Sequence, residues 1–556
     1  MSRRPSSQGA RSWVAASGII ALVVLAPIAS LAVVAARGSE GLWEHLIANV
    51  LAGAAADTLV VLTGVGLLCA VIGAGLAWLV TAFEFAGRRL FDWALLLPMA
   101  VPTYIVAYAY LDILHPVGPV QTVLRAILGI DSPRDFRLPD VRSMAGCIIL
   151  LSFVLYPYVY LTTRAVFLMQ SANLLDAART LGTGRRGVFL RVALPLARPA
   201  IVVGLTLVLL ETLNDIGASE FLGVRTLTVA VYSTWVTRSD LPGAAQISLT
   251  MLLIVTALVL IERRARRHRQ YVNDAQHPRP LAPHRLMGWR AGAAAAACAT
   301  PVLLGFVVPA LYLAHATAAR VRFAGVPTTI ARETLNTVTL SLAATGLALV
   351  AGVVVAYAER LGRGGISGSL ARIASLGYAV PGTVLAIGLL PVVTGIEAVT
   401  DAATQRFLGV PTGLFLLGTG AAVVYAYVVR FLALAAGGVE AGLSRIPTSL
   451  DDAARTLGSA PLSRLRSIHL PIARPALATA ALLVFVDSMK ELPATLLLRP
   501  VGFETLATHL YGEAVRGTYE DGAIAALLIV LAGLIPVLIL ARIGRTRPSA
   551  GSDVRA

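Results

Sequence analysis

Stretches of about 20 apolar residues alternate with short polar segments along the whole chain. Twelve stretches can be counted in the sequence. A helix of about 20 apolar residues crosses the roughly 30 Å hydrocarbon core of a membrane. Runs of this length are too long for barrel strands, so the pattern predicts transmembrane helices. The predicted spans are 14–36, 58–83, 92–114, 145–168, 197–215, 243–261, 291–313, 336–358, 370–392, 414–437, 474–489 and 522–542.

The composition agrees with this pattern. Hydrophobic residues make up 57% of the 556 positions and charged residues only 14%, and the mean hydropathy is +0.77. A soluble chain of this length would carry far more charge. We therefore predict an all-α polytopic membrane protein with about twelve transmembrane helices. The first stretch is longer than the core of a cleavable signal peptide, which favours a retained helix over a removed leader.

The formal net charge of +16 comes from arginines that gather between the apolar stretches. If twelve spans are followed along the chain, seven arginine clusters fall on the same side: those at 3–4, 88–89, 179–198, 263–290, 360–363, around the second repeat and at 542–547. This is the positive-inside pattern, and it predicts a multi-pass protein of the bacterial cytoplasmic (inner) membrane with both termini in the cytoplasm. The charge therefore indicates topology and not a nucleic-acid partner.

One polar phrase occurs twice in the chain. Asp-Ala-Ala-Arg-Thr-Leu-Gly stands at 176–182 and again at 452–458, and Leu-Pro-x-Ala-Arg-Pro-Ala follows at 194–200 and 470–476. The register difference is 276 residues. Earlier pairs differ by 279 residues, among them Ala100-Val101-Pro102 with Ala379-Val380-Pro381, and Trp78 with Tyr357.

The duplication predicts two six-helix repeats of parallel orientation, because an even number of spans separates them. We expect a first half at 1–262, a basic, proline-containing cytoplasmic linker at 263–290 and a second half at 291–556. The basic run of the linker is a topology signal, and it can also bind the head groups of anionic membrane lipids.

Each copy of the phrase predicts a short exposed helix that ends at a glycine in the left-handed conformation. The pattern resembles the "EAA" loop of the permease subunits of binding-protein-dependent ABC importers, with Asp in place of the usual Glu. In that family the loop seats in a groove of the ATPase and carries its motion to the membrane helices. The resemblance implies an ATPase-docking role for these residues: Asp176, Ala177, Ala178, Gly182, Pro195, Asp452, Ala453, Ala454, Gly458 and Pro471.

The chain does not carry an ATP-binding motif of its own. A Walker A loop needs Gly-Lys-Ser/Thr, and Lys490 is the only lysine. We therefore expect no bound cofactor and no enzymatic activity in this chain. ATP would be used by a separate subunit, most simply two ATP-binding cassette subunits, one for each loop.

Charged residues inside the predicted spans are costly, by about 2.5–3.5 kcal/mol each, and such groups tend to face a cavity or a partner. Four acids pair across the repeat, Glu211 with Asp487 and Asp215 with Glu491, and Lys490 lies beside the second pair. Acids four residues apart share one face of a helix. Two hypotheses stay open: a gate or transient site on the transport path that suits a cation, or a buried ion-pair network that holds the halves together.

The segment after these acids carries a narrower resemblance. Residues 490–495 (Lys-Glu-Leu-Pro-Ala-Thr) and 502–507 (Gly-Phe-Glu-Thr-Leu-Ala), with 214–218 in the first half, resemble ferric-iron-type importer permeases. The fusion of two permease units in one chain fits the same group. The resemblance implies ferric iron delivered by an extracytoplasmic binding protein that docks on the outer loops around 216–242 and 491–521.

Alternatives remain at the level of the sequence. Fused thiamine permeases and some phosphonate permeases look similar. A secondary transporter of the major facilitator type also has six plus six helices, although it does not predict the twin loops. The eight histidines have no ligand-like spacing, so we expect no dedicated metal site.

Overall fold

The structure is a computed structural model. It describes residues 7–39, 41–169, 180–267, 283–362 and 365–545. Within these residues nearly all regular structure is helical, and a single pair of two-residue strands accompanies the helices.

The elements follow one another in this order, with short 3-10 and π segments named where they interrupt the α-helices. They are α1 (Ser7–Ala35), α2 (Leu42–Leu46), a π segment (Ile47–Leu51), α3 (Ala52–Ala82), β1 (Phe83–Glu84), α4 (Arg88–Ala94), a 3-10 segment (Leu97–Ala100), α5 (Thr103–Ile113), α6 (Pro119–Leu128), α7 (Met144–Met169), α8 (Arg185–Gly187), a π segment (Val188–Ala193), α9 (Leu194–Asn214), α10 (Gly217–Phe221), α11 (Leu227–Val236), α12 (Leu241–Arg267), β2 (His284–Arg285), α13 (Trp289–Val302), a π segment (Leu303–Val307), α14 (Val308–Ala324), α15 (Thr328–Gly362), α16 (Ile366–Ala374), a 3-10 segment (Leu376–Ala379), α17 (Gly382–Leu408), α18 (Ala421–Leu443), α19 (Thr448–Thr456), α20 (Pro461–Arg464), a π segment (Leu465–His469), α21 (Leu470–Met489), α22 (Pro493–Leu498), α23 (Leu506–Arg516) and α24 (Tyr519–Arg545).

Eleven helices in the described residues are long and apolar enough to cross a membrane, and the number is twelve if one bent pair of helices is counted as a span. That span joins Arg88–Ala100 to Thr103–Ile113 with a bend of 90°. The prediction of an all-α polytopic membrane protein with about twelve helices is confirmed. The bounds predicted for the ninth span, 370–392, are wrong, because the long apolar helix runs from Gly382 to Leu408.

The break in the third span recurs in the ninth for the same local reason. Pro102 and Pro381 each precede a helix, and the residue before each is extended, with ψ of 119° at Val101 and 123° at Val380. Proline has no N–H to donate and disfavours the α conformation in the residue before it. The repeated Ala-Val-Pro therefore stops a 3-10 turn and starts a new helix in both halves.

A second repeated irregularity precedes the fifth and eleventh spans. The π segments Val188–Ala193 and Leu465–His469 lead directly into α9 and α21. Pro195 and Pro471 stand in the first turn of those helices. Since a proline cannot donate to the carbonyl four residues earlier, the hydrogen-bond ladder widens just before it. The chain thus runs from the repeated loop into the span without a turn.

The helices pack into two compact units that do not follow the order of the sequence. Unit I contains 1–56, 225–255 and 326–512, and unit II contains 57–224, 256–325 and 513–556. Each unit therefore combines spans two to five of one half with the first span and most of the last span of the other. The boundaries predicted for the halves concern the sequence repeat and stay a prediction.

In unit I, α1 packs closely against α17. A Cβ on Gly388 would stand 2.2 Å from the backbone oxygen of Pro27, so only glycine allows this approach. The Ser30 hydroxyl donates to the Gly388 carbonyl, and the Tyr425 hydroxyl donates to the Val23 carbonyl at 2.8 Å. Small residues that bring backbones together are a usual means of helix association in membranes.

In unit II, the broken third span packs against α24 and α7. A Cβ on Gly533 of α24 would stand 2.2 Å from the oxygen of Ala100, at the end of the 3-10 segment. The Tyr110 hydroxyl donates to the Leu304 carbonyl at 2.9 Å. Tyr156 and Tyr160 of α7 donate to the carbonyls of Leu95 and Asp92, each at 2.9 Å.

The ends of the predicted linker belong to regular structure in unit II. The helix α12 continues through Arg267, and β2 pairs in parallel with β1, Phe83 opposite His284 and Glu84 opposite Arg285. Residues 268–282 lie outside the described residues. The basic segment is thus tied by backbone hydrogen bonds to the turn after the second span.

Candidate functional site

The second repeated loop, residues 447–476, is described in full. Its short helix α19 carries Asp452 and Ala453 on the exposed side, while Ala454 is buried. Arg455 Nη1 lies 3.5 Å from Asp452 Oδ1. The helix ends at Gly458, whose φ of +75° only glycine adopts without strain. The predicted short helix with a left-handed glycine stop is present here.

The first repeated loop, residues 171–200, is described only in part. Asp176, Ala177 and Ala178 lie outside the described residues. Gly182 has a φ of +81°, matching Gly458. Leu181, the residue before it, is 85% exposed, and Leu457 at the same place in the second loop is 87% exposed. The two loops therefore share the same turn and the same exposed leucine.

The second loop presents an apolar stripe to its surroundings. Leu450, Ala453 and Leu457 are all exposed, and their spacing of three and four residues places them along one side of α19. Exposed apolar patches on otherwise polar segments mark interaction surfaces. The stripe is therefore a candidate interaction surface.

The first acid site lies just past the end of α9. The helix stops at Asn214, and Asp215 is extended, with ψ of 119°. Its buried carboxylate accepts a hydrogen bond from the backbone N–H of Ser219 at 2.9 Å and one from the Thr103 hydroxyl. Asp215 thus caps α10 and holds it against the start of α5, directly after the break in the third span.

The second acid site has the same position in the second half but a different partner. Glu491 follows the end of α21, and its carboxylate accepts the backbone N–H groups of Ala494 and Thr495, each at 3.1 Å. Arg430 Nη1 of α18 lies 3.8 Å from Glu491 Oε1. Both side chains are buried.

The broken span explains why the two acid sites differ. Gly382 occupies the register position of Thr103, and a Cβ there would stand 2.7 Å from both Arg430 Nη1 and Glu491 Oε1. The missing side chain leaves the space that the guanidinium fills. In the first half the threonine side chain fills this space and donates to the acid directly. The Thr103 hydroxyl in the first half and the Arg430 guanidinium in the second therefore each contact the acid that follows the helix end.

The acids do not share one helix face as predicted. That prediction is wrong because α9 ends at Asn214 and α21 at Met489, so the second acid of each pair lies beyond a helix end. Glu211 and Asp487 remain within the helices and are partly buried. Lys490 lies beside Asp487, with Nζ 2.8 Å from Oδ1.

Arg430 was missed in reading the sequence. It is a lone cation inside the apolar stretch 414–437, and a charge within a span signals a functional or paired group. Its partner lies 61 positions further along the chain, which only the packing of α18 against the end of α21 could reveal. In the described residues, no group of three or more His, Cys, Asp or Glu side chains is arranged to hold a metal ion.

Comparison with known proteins places these features in a family. The model of the binding-protein-dependent transport system inner membrane component matches the chain twice, at residues 63–269 and 348–547. The chain belongs to this family. The two matches fall one on each predicted half, so this permease contains two fused copies of the family domain.

Several curated relatives are similar to the permease. An Fe(3+)-transport system permease protein of Haemophilus influenzae is 23% identical over 507 residues, which is 91% of this chain and 92% of the relative. A probable molybdenum ABC transporter permease protein of Haloferax volcanii is 27% identical over 247 residues, 44% of this chain and 86% of the relative. A putative 2-aminoethylphosphonate transport system permease protein of Salmonella typhimurium is 34% identical over 128 residues, 23% of this chain and 48% of the relative.

These findings establish the class of the protein. It is an ABC transporter permease subunit and a multi-pass inner membrane protein. Permeases of this family are not enzymes themselves, and they work with an ATPase and a substrate-binding protein.

Proposed function

We propose that this permease imports ferric iron, which an extracytoplasmic binding protein delivers and which ATP hydrolysis by two separate ATPase subunits drives inward. The observation that carries the iron assignment is the relative named for Fe(3+) transport, because that match spans 91% of this chain. It therefore covers both fused units and the outer loops on which a binding protein would dock. The permease itself would bind no cofactor, and ATP would be used by the partner subunits.

Molybdate and phosphonate are the competing substrates. The relatives named for them match 44% and 23% of the chain. Thiamine is a further alternative, because the sequence also resembles fused thiamine permeases. Asp487 lies beside Lys490 and Glu491 beside Arg430. Glu211 and Asp215 are therefore the acids that support a cation over the two oxyanions, since like charges repel. We assign these four acids and Lys490 to the transport path.

The repeated loops are the proposed ATPase docking sites. Each has an exposed leucine and a left-handed glycine in the same place, and the second has an apolar stripe along α19. The even number of spans between the loops puts them on one side, which the arginine clusters identify as the cytoplasm. Both termini would lie there too. One ATPase per loop gives two copies.

Uptake by purified components tests the proposal. The permease is reconstituted in liposomes with its ATPase and binding protein, and ATP-dependent accumulation of labelled ferric iron, molybdate, 2-aminoethylphosphonate and thiamine is measured. Accumulation of ferric iron alone supports the assignment. ATP-dependent accumulation of another substrate would overturn the iron assignment and keep the importer. No ATP-dependent accumulation of any of the four substrates would overturn the proposed import.

A further inference from the structure

Asp451, the residue before the repeated phrase in the second loop, is buried in a polar network. Its Oδ2 lies 2.9 Å from Arg360 Nε and 2.8 Å from Arg360 Nη2. Its Oδ1 lies 2.8 Å from His469 Nε2. Arg360 comes from the last turn of α15, and His469 ends the π segment before α21. One carboxylate on α19 thus contacts both neighbouring spans.

Further hydrogen bonds join the same elements. Arg360 Nη2 donates to the Ile446 carbonyl at 2.9 Å, just before α19. The Tyr357 hydroxyl donates to the Pro461 carbonyl at 2.7 Å, just after it. Arg464 Nη1 lies 3.5 Å from the Asp451 carbonyl oxygen. The beginning and the end of the second loop are therefore both tied to the end of α15.

The first half has apolar or neutral residues at all four corresponding positions. The register differences of 276 and 279 residues define the corresponding positions. Leu175 corresponds to Asp451, Thr81 to Arg360, Val188 to Arg464 and Ala193 to His469. Leu175 lies outside the described residues. The Thr81 hydroxyl bonds within its own helix, to the Ala77 carbonyl at 2.7 Å.

Aromatic packing takes the place of the network in the first half. The ring of Trp78, which corresponds to Tyr357, lies 5.3 Å from the ring of Phe189 and 5.3 Å from that of Phe167. Val188 and Ala193 are fully buried beside this cluster. In the described part of the first half, the contact between the loop and the end of α3 is thus aromatic, and the ion pair of Arg164 with Asp92 joins α7 to α4 beside it. In the second half the corresponding contact is charged.

This difference has a mechanical consequence. Hydrogen bonds to charged groups are strong and directional, so the bond from Arg360 Nε to Asp451 Oδ2 fixes a direction as well as a distance. Apolar contacts are non-directional and tolerate sliding. We therefore expect a displacement of α19 to be passed directly to α15 and α21, whereas the described aromatic contact of Phe189 with Trp78 in the first half allows more relative movement.

We propose that Arg360, Asp451 and His469 are positioning residues that make the second loop the stiffer of two unequal ATPase docking sites. The coupling of ATP hydrolysis to transport then depends more on the second loop than on the first. This inference rests on the proposed ATP-driven import. It concerns residues that do not contact ATP or substrate, since Asp451 is buried beneath the exposed face of α19.

The test measures ATP hydrolysis and substrate uptake together in the complete reconstituted complex. In Asp451→Asn and Arg360→Gln we expect hydrolysis to continue while the uptake per ATP falls about tenfold, as for the loss of a hydrogen bond to a charged group. Arg360→Lys, which keeps the charge, restores part of the ratio. Two control variants should leave the uptake per ATP unchanged. They are Glu440→Gln, which alters an exposed carboxylate in the last turn of α18, and Thr81→Ala in the first half.

The possible outcomes separate the inference from the proposed function. If the unchanged complex shows no ATP-driven uptake, the proposed function fails. If that complex is coupled and Asp451→Asn and Arg360→Gln couple equally well, the inference is overturned. It is also overturned if the variants only lose bound ATPase while the remaining complexes keep the normal ratio, because that is the result of a purely structural role. An equal loss in Thr81→Ala would refute the inequality of the loops.

Discussion

The backbone oxygen of Pro27 lies 2.2 Å from the position of a Cβ on Gly388. The two residues belong to different halves of the sequence, and their contact joins α1 to α17 within unit I. We predict that Gly388→Ala lowers the free energy of unfolding by about 2 kcal/mol, since overpacking costs 1–3 kcal/mol and the obstacle is backbone. Thermal unfolding in detergent measures the change.

Gly395→Ala provides the matched control on the same helix. A Cβ on Gly395 meets no atom within 4 Å, and alanine is the better helix former. This variant is expected to unfold at the same temperature as the original protein or slightly higher. Equal effects of the two substitutions would show that α1 and α17 do not approach so closely.

The glycine stops of the repeated loops yield a second prediction. Gly182→Ala and Gly458→Ala place a side chain at a positive φ, which costs about 1–2 kcal/mol. We expect the affinity for the ATPase to fall by a factor of about 5–30. Titration of detergent-solubilised permease with labelled ATPase measures it. Gly437→Ala, within α18 and with open space around it, should bind normally.

The buried pair of Arg430 and Glu491 predicts a third result. Arg430→Met leaves a buried carboxylate without its cation, and breaking such a pair costs about 3–5 kcal/mol. The double variant Arg430→Met, Glu491→Gln removes both charges and is expected to regain most of the stability. A double-mutant cycle based on thermal unfolding provides the coupling energy. Additive losses would contradict a direct interaction.

A fourth prediction concerns the acids inside the spans. Glu211→Gln combined with Asp487→Asn should reduce ATP-dependent iron uptake at least about tenfold while ATP hydrolysis continues, because a cation on the path loses its attracting charges. Glu44→Gln, an exposed carboxylate of α2, is the control. Normal transport by the double variant would remove these acids from the transport path.

Much of the fold is visible in local patterns. Apolar runs long enough for a bilayer predict the spans, since a lipid environment leaves the backbone little choice but a helix. The repeated Ala-Val-Pro marks the break in two spans, because proline acts on its immediate neighbours. The repeated phrase ending in glycine predicts the turn seen at Gly182 and Gly458. Such features depend on residues close together in the chain.

The acid sites depend on contacts that local sequence patterns do not reveal. Glu211 and Asp215 are four residues apart, yet the helix stops between them and Asp215 turns to cap α10. The partner of Glu491 could not be deduced either, since Arg430 meets it only through the packing of α18. The partner of each acid also depends on one repeat position. Thr103 in the first half donates to Asp215, whereas Gly382 in the second half leaves room for Arg430 beside Glu491.

The sequence by itself determined the class of protein, the number of spans and the duplication, because hydropathy and repeated motifs are properties of the chain. Only the tertiary structure decided that each compact unit takes its outer spans from the other half, and that Asp451 links α19 to α15 and α21. Helices in a bilayer are individually stable, and their partners are selected by close contacts between surfaces. Such contacts join residues hundreds of positions apart and leave no local signal.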